Sequence, residues 1–334
     1  MTVVLIAFGA LLVAVAVADA VITTLSAGNG GGPLTSRLAR LTWRALRAVV
    51  RGRGESRLLS YAGTAVLLVT VLTWVVLLWT GWTLIFASTD AAVVDSTTSA
   101  PASVGARVYY AGFVVFTLGV GDFVPGSGTW QIATAAASFL GLFLITLSIT
   151  YLVSVVSAAV TRRQLARCVH LSGETGADIV LNHWTGEQVS SQFDSLAQTL
   201  TAQVLQTTQQ HLAYPVLHHF HAADPASSAP RAIAALDDAL LLLSEGLDEQ
   251  ARPSSDTLAR LRRAIEHYTS TVHSGGHQPQ DPPLPDLSPL RDAGVPVVDD
   301  AAFGAAYGAH AGRRQHLDAL IRADAWTWPA HPAA

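Results

Sequence analysis

The six residues Thr117, Leu118, Gly119, Val120, Gly121 and Asp122 concentrate oxygen ligands in a chain otherwise poor in reactive groups. Gly119 and Gly121 alternate with bulkier neighbours, and glycine takes left-handed backbone conformations that L-residues avoid. A backbone turned that way at every second residue can aim successive carbonyls at one axis. The Thr117 hydroxyl adds an oxygen at one end and the Asp122 carboxylate an acid at the other. Such an array suits a cation whose water the carbonyls would replace. The rest of the chain offers less. No nucleophile–base pair or paired-carboxylate constellation stands out, so the chain does not read as an enzyme and no cofactor is expected. His211, His218, His219 and His221 cluster around Tyr214-Pro215. His211, His218 and His221 could form a metal site or proton sensor, because imidazole ligates metals and titrates near neutral pH. No Cys or well-placed acid completes that set, and packed or solvated histidines are the plainer reading.

The elements around the hexapeptide are apolar. The 334 residues are 50% hydrophobic and 13% charged, against about 25% charged in a soluble domain. Residues 58–87 and 130–161 contain no charged side chain, and residues 2–25 contain only Asp19. Each run exceeds the roughly 20 residues that span a bilayer core. The first lacks the basic flank of a secretory signal and is expected to be a retained helix. Residues 105–116 are too short to cross and read as a re-entrant helix leading into the hexapeptide. Irregular backbone at membrane depth is tolerated only where protein encloses it or it lines water. One such loop per chain therefore implies several chains around an axis. Gly141 is a candidate bend in the helix that follows, and Thr146, Ser148 and Thr150 offer hydroxyls to a cavity.

Charge sets an orientation. Through Cys168 there are 11 Arg against 5 acids; beyond it there are 9 Arg against 19 acids, and the chain has no Lys. The loop after the first span holds Arg37, Arg40, Arg44, Arg47, Arg51, Arg53 and Arg57 against Glu55, which makes it cytoplasmic by the positive-inside rule. The N-terminus then lies outside, the hexapeptide opens outward, and the C-terminal half is cytosolic. Arg37, Arg40, Arg44, Arg47 and Arg51 fall on one stripe of a helix suited to anionic lipid at the inner interface. Asp19 is expected to pair with Arg37 or a neighbour. Trp79 and Trp82 suit an outer aromatic belt. Arg residues beside membrane spans do not suggest nucleic acid, and the single Cys168 excludes an intrachain disulfide framework.

Taken together, residues 58–167 resemble the outer helix, pore loop and inner helix of the potassium-channel superfamily, in its small bacterial two-transmembrane form with an extra N-terminal span. Thr117, Gly119, Gly121 and Asp122 match the T-V-G-Y-G-D consensus. Leu118 stands for Val, and Val120 stands where an aromatic usually braces the filter's width. The resemblance implies a homotetrameric, plasma-membrane channel passing potassium, with Thr117 to Asp122 as its selectivity filter and Gly141, Thr146 and Thr150 lining or gating the pore. Val120 raises a weakly selective cation channel as an alternative; a non-conducting membrane sensor that uses the pore fold for assembly is a second. The expected fold is thus an all-α membrane protein. It comprises an N-terminal span (1–25), an Arg-rich interfacial helix (26–57), the pore module (58–167), a helical cytosolic domain (168–275), and a Pro/Gly-rich linker with a short helix and loose tail (276–334). Within the cytosolic domain, residues 187–213 form an amphipathic helix whose Val189, Phe193, Leu196, Leu200 and Val204 could be an assembly seam.

Overall fold

A computed structural model describes residues 1–25, 31–50, 61–272, 278 and 280–329. The expected positions of Arg51, Arg53, Glu55 and Arg57 lie outside the described residues, as do the first residues of the second span and parts of the linker and tail. The chain divides into two compact units. Unit 1 comprises Met1–Val156 and Ala213–His219, and unit 2 comprises Ser157–Leu212 and Phe220–Ala334.

Unit 1 contains α1 (Thr2–Leu25), α2 (Pro33–Val50), α3 (Ala62–Phe86), β1 (Val93–Asp95), α4 (Val104–Val115), β2 (Phe123–Pro125) and the first part of α5 (Gly128–Ser172). α1, α3 and α5 are long and apolar enough to cross a membrane. At 1.5 Å per residue the 12-residue α4 reaches only about 18 Å. α1 packs along α3, where a Cβ on Gly81 would lie 2.8 Å from the Gly9 carbonyl oxygen. Small residues let two backbones approach this closely in lipid, where dispersion rather than the hydrophobic effect joins helices. The chain is not wholly helical: β1 pairs antiparallel with β2, Val94 opposite Val124.

Segment 213–219 returns from unit 2 to unit 1, which the sequence did not suggest. Val216 and Leu217 are buried there, and Tyr214 lies against Tyr151 with ring centroids 6.2 Å apart. His219 packs on Trp43 of α2 at 5.4 Å, and burial beside His218 pushes its pKa down to about 4.

Unit 2 holds the end of α5, α6 (Gly176–Asn182), α7 (Ser191–Ala213, to Leu212), α8 (Ala229–Leu241), α9 (Ser255–Thr271), α10 (Ser288–Asp292), α11 (Asp300–Tyr307) and α12 (Ala311–Ala323). Thr175 and Asp178 close a reciprocal capping box at the start of α6. α8 is the centre of the unit, with every residue from Ala232 to Leu241 buried. The proposed boundary at 275 does not survive. Leu287, Leu290, Phe303, Leu317, Ile321 and Trp328 join the same core as Leu200 and Leu240, so residues 287–328 complete one domain with the helices before them. The expected assembly seam on α7 is also spent internally: Phe193, Leu200 and Val204 are buried in this core and Leu196 packs against it.

Candidate functional site

The backbone of 117–121 is held from both ends. On its N-terminal side, Ser103 caps α4 by accepting from the Ala106 N–H at 3.3 Å. Trp79 on α3 donates its indole N–H to the Val108 carbonyl at 3.0 Å and meets Phe116 edge-on at 5.9 Å. Tyr110 is buried, its hydroxyl 2.6 Å from that of Thr134 on α5 and its ring edge-on to Phe86 at 5.0 Å. Trp82 stacks on Phe86 and is buried. Trp79 and Trp82 therefore pack within the unit, Trp79 directly on α4, a role beside the aromatic belt expected of them. A flat ring with one polar tip can serve either purpose, and sequence alone does not choose.

α4 then ends tightly. The Phe116, Thr117 and Leu118 N–H groups donate to the carbonyls of Gly112, Val114 and Phe113 at 2.9, 3.1 and 2.8 Å. Thr117, Gly119 and Gly121 have φ of +55°, +60° and +85°, whereas Leu118, Val120 and Asp122 keep negative φ. Alternation of this kind collects successive N–H groups on one side of the strand, which turns the carbonyls to the other. Thr117 is β-branched, so its positive φ is a strained conformation, costing about 1–3 kcal/mol, which the surrounding bonds must hold. A Cβ at Gly119 would meet nothing within 4 Å, so what favours glycine there is the backbone angle and not space.

On the C-terminal side, the hairpin of β1 and β2 fixes the exit. The Ser96 N–H donates to the Asp122 carbonyl at 3.0 Å. Asp95 accepts from the Thr97 and Thr98 N–H groups and the Thr98 hydroxyl, and these bonds, Thr98's backbone first, hold its carboxyl below the usual range. Arg107, buried on α4, donates to Asp90 at 2.6 Å and to the Ala87 carbonyl at 3.4 Å, tying α4 to the same loop. Rings of Tyr109, Phe113 and Phe123 adjoin one another, at 5.2 Å for Tyr109–Phe113 and 6.4 Å for Tyr109–Phe123. The Tyr109 hydroxyl faces the Asp122 carboxylate. Thr117 to Asp122 themselves are exposed, Leu118 by 67% and Val120 by 53%.

The other expected site residues separate into groups. Gly141 is buried against α4, where a Cβ would collide with the Val115 carbonyl, and α5 continues through it as helix. Its small size serves close packing and not a bend. Ser148 is buried inside the unit, so it does not face a cavity with the other two hydroxyls. Thr146 and Thr150 are exposed and donate back to the Leu142 and Thr146 carbonyls at 2.8 and 3.0 Å. They stand on an exposed stripe of α5 with Phe139, Leu142, Ile149, Val153 and Val156. The histidine metal site is not formed: among the described residues no group of three His, Cys, Asp or Glu could hold a metal. His221 instead stacks on Trp326 and bonds Asp324 at 3.2 Å, while His218 lies against His219.

Asp19 has a different partner from the one expected. It is buried at 2% exposure, and no cation pairs with it among the described residues. Its carboxylate accepts from the Leu34 N–H at 2.8 Å, the Thr35 N–H at 3.2 Å, the Thr35 hydroxyl at 2.6 Å and the Trp74 indole at 2.9 Å. Asp19 thus caps the N-terminus of α2 from within α1 and ties both to α3. The first-turn donors and the positive end of the helix dipole supply what a guanidinium would. This leaves Arg37, Arg40 and Arg44 exposed on α2, while the Arg47 side chain and Arg51 lie outside the described residues.

No protein-family model matches the chain, and no solved structure matches it. It is 35% identical over 328 residues to the uncharacterized membrane protein YdjJ of Bacillus subtilis (strain 168), covering 98% of this chain and 95% of that protein. With three apolar helices of spanning length and this likeness over nearly the whole sequence, the chain is a membrane protein belonging to the family of YdjJ.

Proposed function

We propose that four copies of this chain form a cation channel of the potassium-channel superfamily, with residues 117–121 of each copy lining the conducting axis. The observation that carries this reading is the alternation of φ along Thr117, Leu118, Gly119, Val120 and Gly121, immediately after a half-length helix. A packed monomeric loop has no need of three left-handed residues at every second position. Carbonyls turned to one side do need a cation or donors to face, and the exposure of the segment in the single chain is consistent with other copies around it. The C-terminus of α4, whose dipole carries partial negative charge, leads straight into the segment and favours a cation there. The exposed stripe of α5 supports assembly through that helix, with Thr146 and Thr150 beside the conducting path.

The proposed setting is a plasma membrane with the N-terminus outside and unit 2 in the cytosol, and with Arg37, Arg40 and Arg44 of α2 against anionic headgroups. Potassium is the proposed permeant ion. The exposure of Val120 supports a second reading, a channel that admits sodium more readily than one with an aromatic at that position.

The test is potassium efflux from liposomes holding the purified full-length chain. Wild type is expected to release potassium down its gradient. Gly119→Ala and Gly121→Ala are expected to lose at least about nine-tenths of that flux while remaining tetrameric, because Cβ opposes positive φ. Undiminished flux in both variants would remove the assignment.

A further inference from the structure

Unit 2 contains a cleft of about 360 Å³ between the last turns of α5 and the first turns of α8. Its floor is small and apolar, with Val169, Ala232 and Ala235 buried, and its rim is charged. Two rim carboxylates each have a basic neighbour. Arg167 bonds Asp224, and His170 stands 3.8 Å from Glu174. Arg231, in the first turn of α8, is a third basic group with no carboxylate left to match. Among the described residues its side chain makes no hydrogen bond and no ion pair, although it is only partly exposed. A guanidinium half-withdrawn from water over an apolar floor gives up hydration for nothing in the protein.

We infer that this cleft binds a small phosphate monoester, with Arg231 as the primary anchor and Arg167 and His170 as flanking donors. A guanidinium presents a planar fork of N–H groups that matches the oxygens of a phosphate or carboxylate. Three donors arriving from different parts of the rim suit a tetrahedral phosphate better than a carboxylate, which has only two oxygens to share. Asp224 and Glu174 discourage a polyanion, so a single phosphoryl group fits the charge of the rim. The volume lies at the low end of about 300–1,000 Å³ for small-molecule sites, room for a phosphate and a compact body but not for an acyl chain. The phosphate could belong to a free solute or to a lipid headgroup. This inference does not depend on whether unit 1 conducts.

The experiment is isothermal titration of the full-length chain in detergent with inorganic phosphate, glycerol 3-phosphate and a short-chain phosphatidate. Binding of at least one probe below about 1 mM is expected, a threshold that one well-placed charged contact cluster reaches. Arg231→Gln is expected to weaken it by about tenfold or more, as for loss of a charge-assisted bond. Arg231→Lys should recover part of the affinity, and Arg260→Gln, on α9, should leave it unchanged. Tighter binding of glycerol 3-phosphate than of phosphatidate assigns the site to free solutes, and the reverse assigns it to headgroups; both sustain the phosphate site. No probe binding below that concentration, or equal affinity in Arg231→Gln and wild type, overturns it. Titration reads no ion flux, so a chain that binds but does not conduct keeps this site and loses the channel.

Discussion

The two units differ most in what they leave uncovered. In unit 1, Val3, Phe8, Leu11, Leu68, Leu72, Ile132, Phe139, Leu142 and Val153 are exposed large hydrophobics, and so are Leu118 and Val120. In unit 2 the run Ala239 to Leu243, from α8 into the π-helical turn after it, is fully buried, and few large apolar side chains remain outside. Unit 2 closes its own core as a water-soluble domain does. Unit 1 is complete only with lipid around it, and on the proposed reading with further copies of itself. The buried acids follow the same division. Asp19 is satisfied by backbone N–H groups, a hydroxyl and an indole, whereas Asp237 and Asp238 of unit 2 meet Arg313 and Arg314. Arg314 is itself fully buried, lies over the Trp328 ring at 4.7 Å, and shares Asp238 with the Trp328 indole at 2.8 Å. A spanning helix that borrows another helix's N-terminus avoids carrying a second charge into the bilayer, where cations are costly.

The largest effect is expected at Asp19. Asp19→Ala abandons the Leu34 and Thr35 N–H groups and the Trp74 indole in an apolar setting, at about 1–3 kcal/mol for each donor left bare. Thermal unfolding in detergent should show a steep loss of stability or no recoverable protein, and Asp19→Asn, which keeps an acceptor, should lose less. An unchanged midpoint in Asp19→Ala would mean that the two units do not differ in this way.

Next comes the exposed stripe of α5. Truncating Phe139 and Leu142 together to Ala should dissociate the proposed tetramer in native mass spectrometry, whereas truncating Leu68 and Leu72 of α3 should not. Removing large side chains costs packing at a protein interface but little against lipid tails, which refill the space. Equal behaviour of the two pairs would make the α5 stripe another lipid face.

A smaller effect belongs to unit 2. Burial pushes Asp238 up to about 6 despite the Arg314 charge, so between about pH 4 and 6 the folded chain holds a proton that the unfolded chain has released. Its contribution to stability is therefore full at low pH and is lost as pH rises through 6. Asp238→Asn should flatten that part of the stability profile, measured by thermal unfolding from about pH 4.5 to 7.5. An unaltered slope would indicate that Arg314 keeps Asp238 ionised throughout.

Much of unit 1 was legible because a bilayer imposes simple demands: long apolar runs for α1, α3 and the first part of α5, broken by charge only at Asp19, and a short apolar helix before Gly119 and Gly121. What was not legible depends on partners distant in sequence. Asp19 meets Trp74, 55 residues away, and nothing in either residue's neighbourhood announces the other. Gly141 reads equally as a bend or as a close approach until Val115 is seen against it. In unit 2, α8 carries Arg231, Asp237 and Asp238, which in sequence read as a surface face, yet both acids are buried against Arg313 and Arg314, so periodicity could not place it at the centre. The linker looked loose because Pro and Gly surround Leu287 and Leu290, and the tail because Pro329 and Pro332 follow Trp328, yet these three side chains join the core. The histidines near Tyr214 share a short stretch of sequence, but the fold gives His219 to Trp43 and His221 to Asp324 and Trp326.

The central claim, that residues 117–121 line a path for cations, is tested most directly by the reversal potential of single channels in planar bilayers. With a potassium chloride gradient across wild-type protein, the current should reverse close to the potassium equilibrium potential. With potassium on one side and sodium on the other, it should reverse on the potassium-preferring side, and Val120→Tyr should move it further that way if an added ring stiffens the segment. Reversal at the chloride potential, or no unitary current from tetrameric protein under any gradient, would contradict the account.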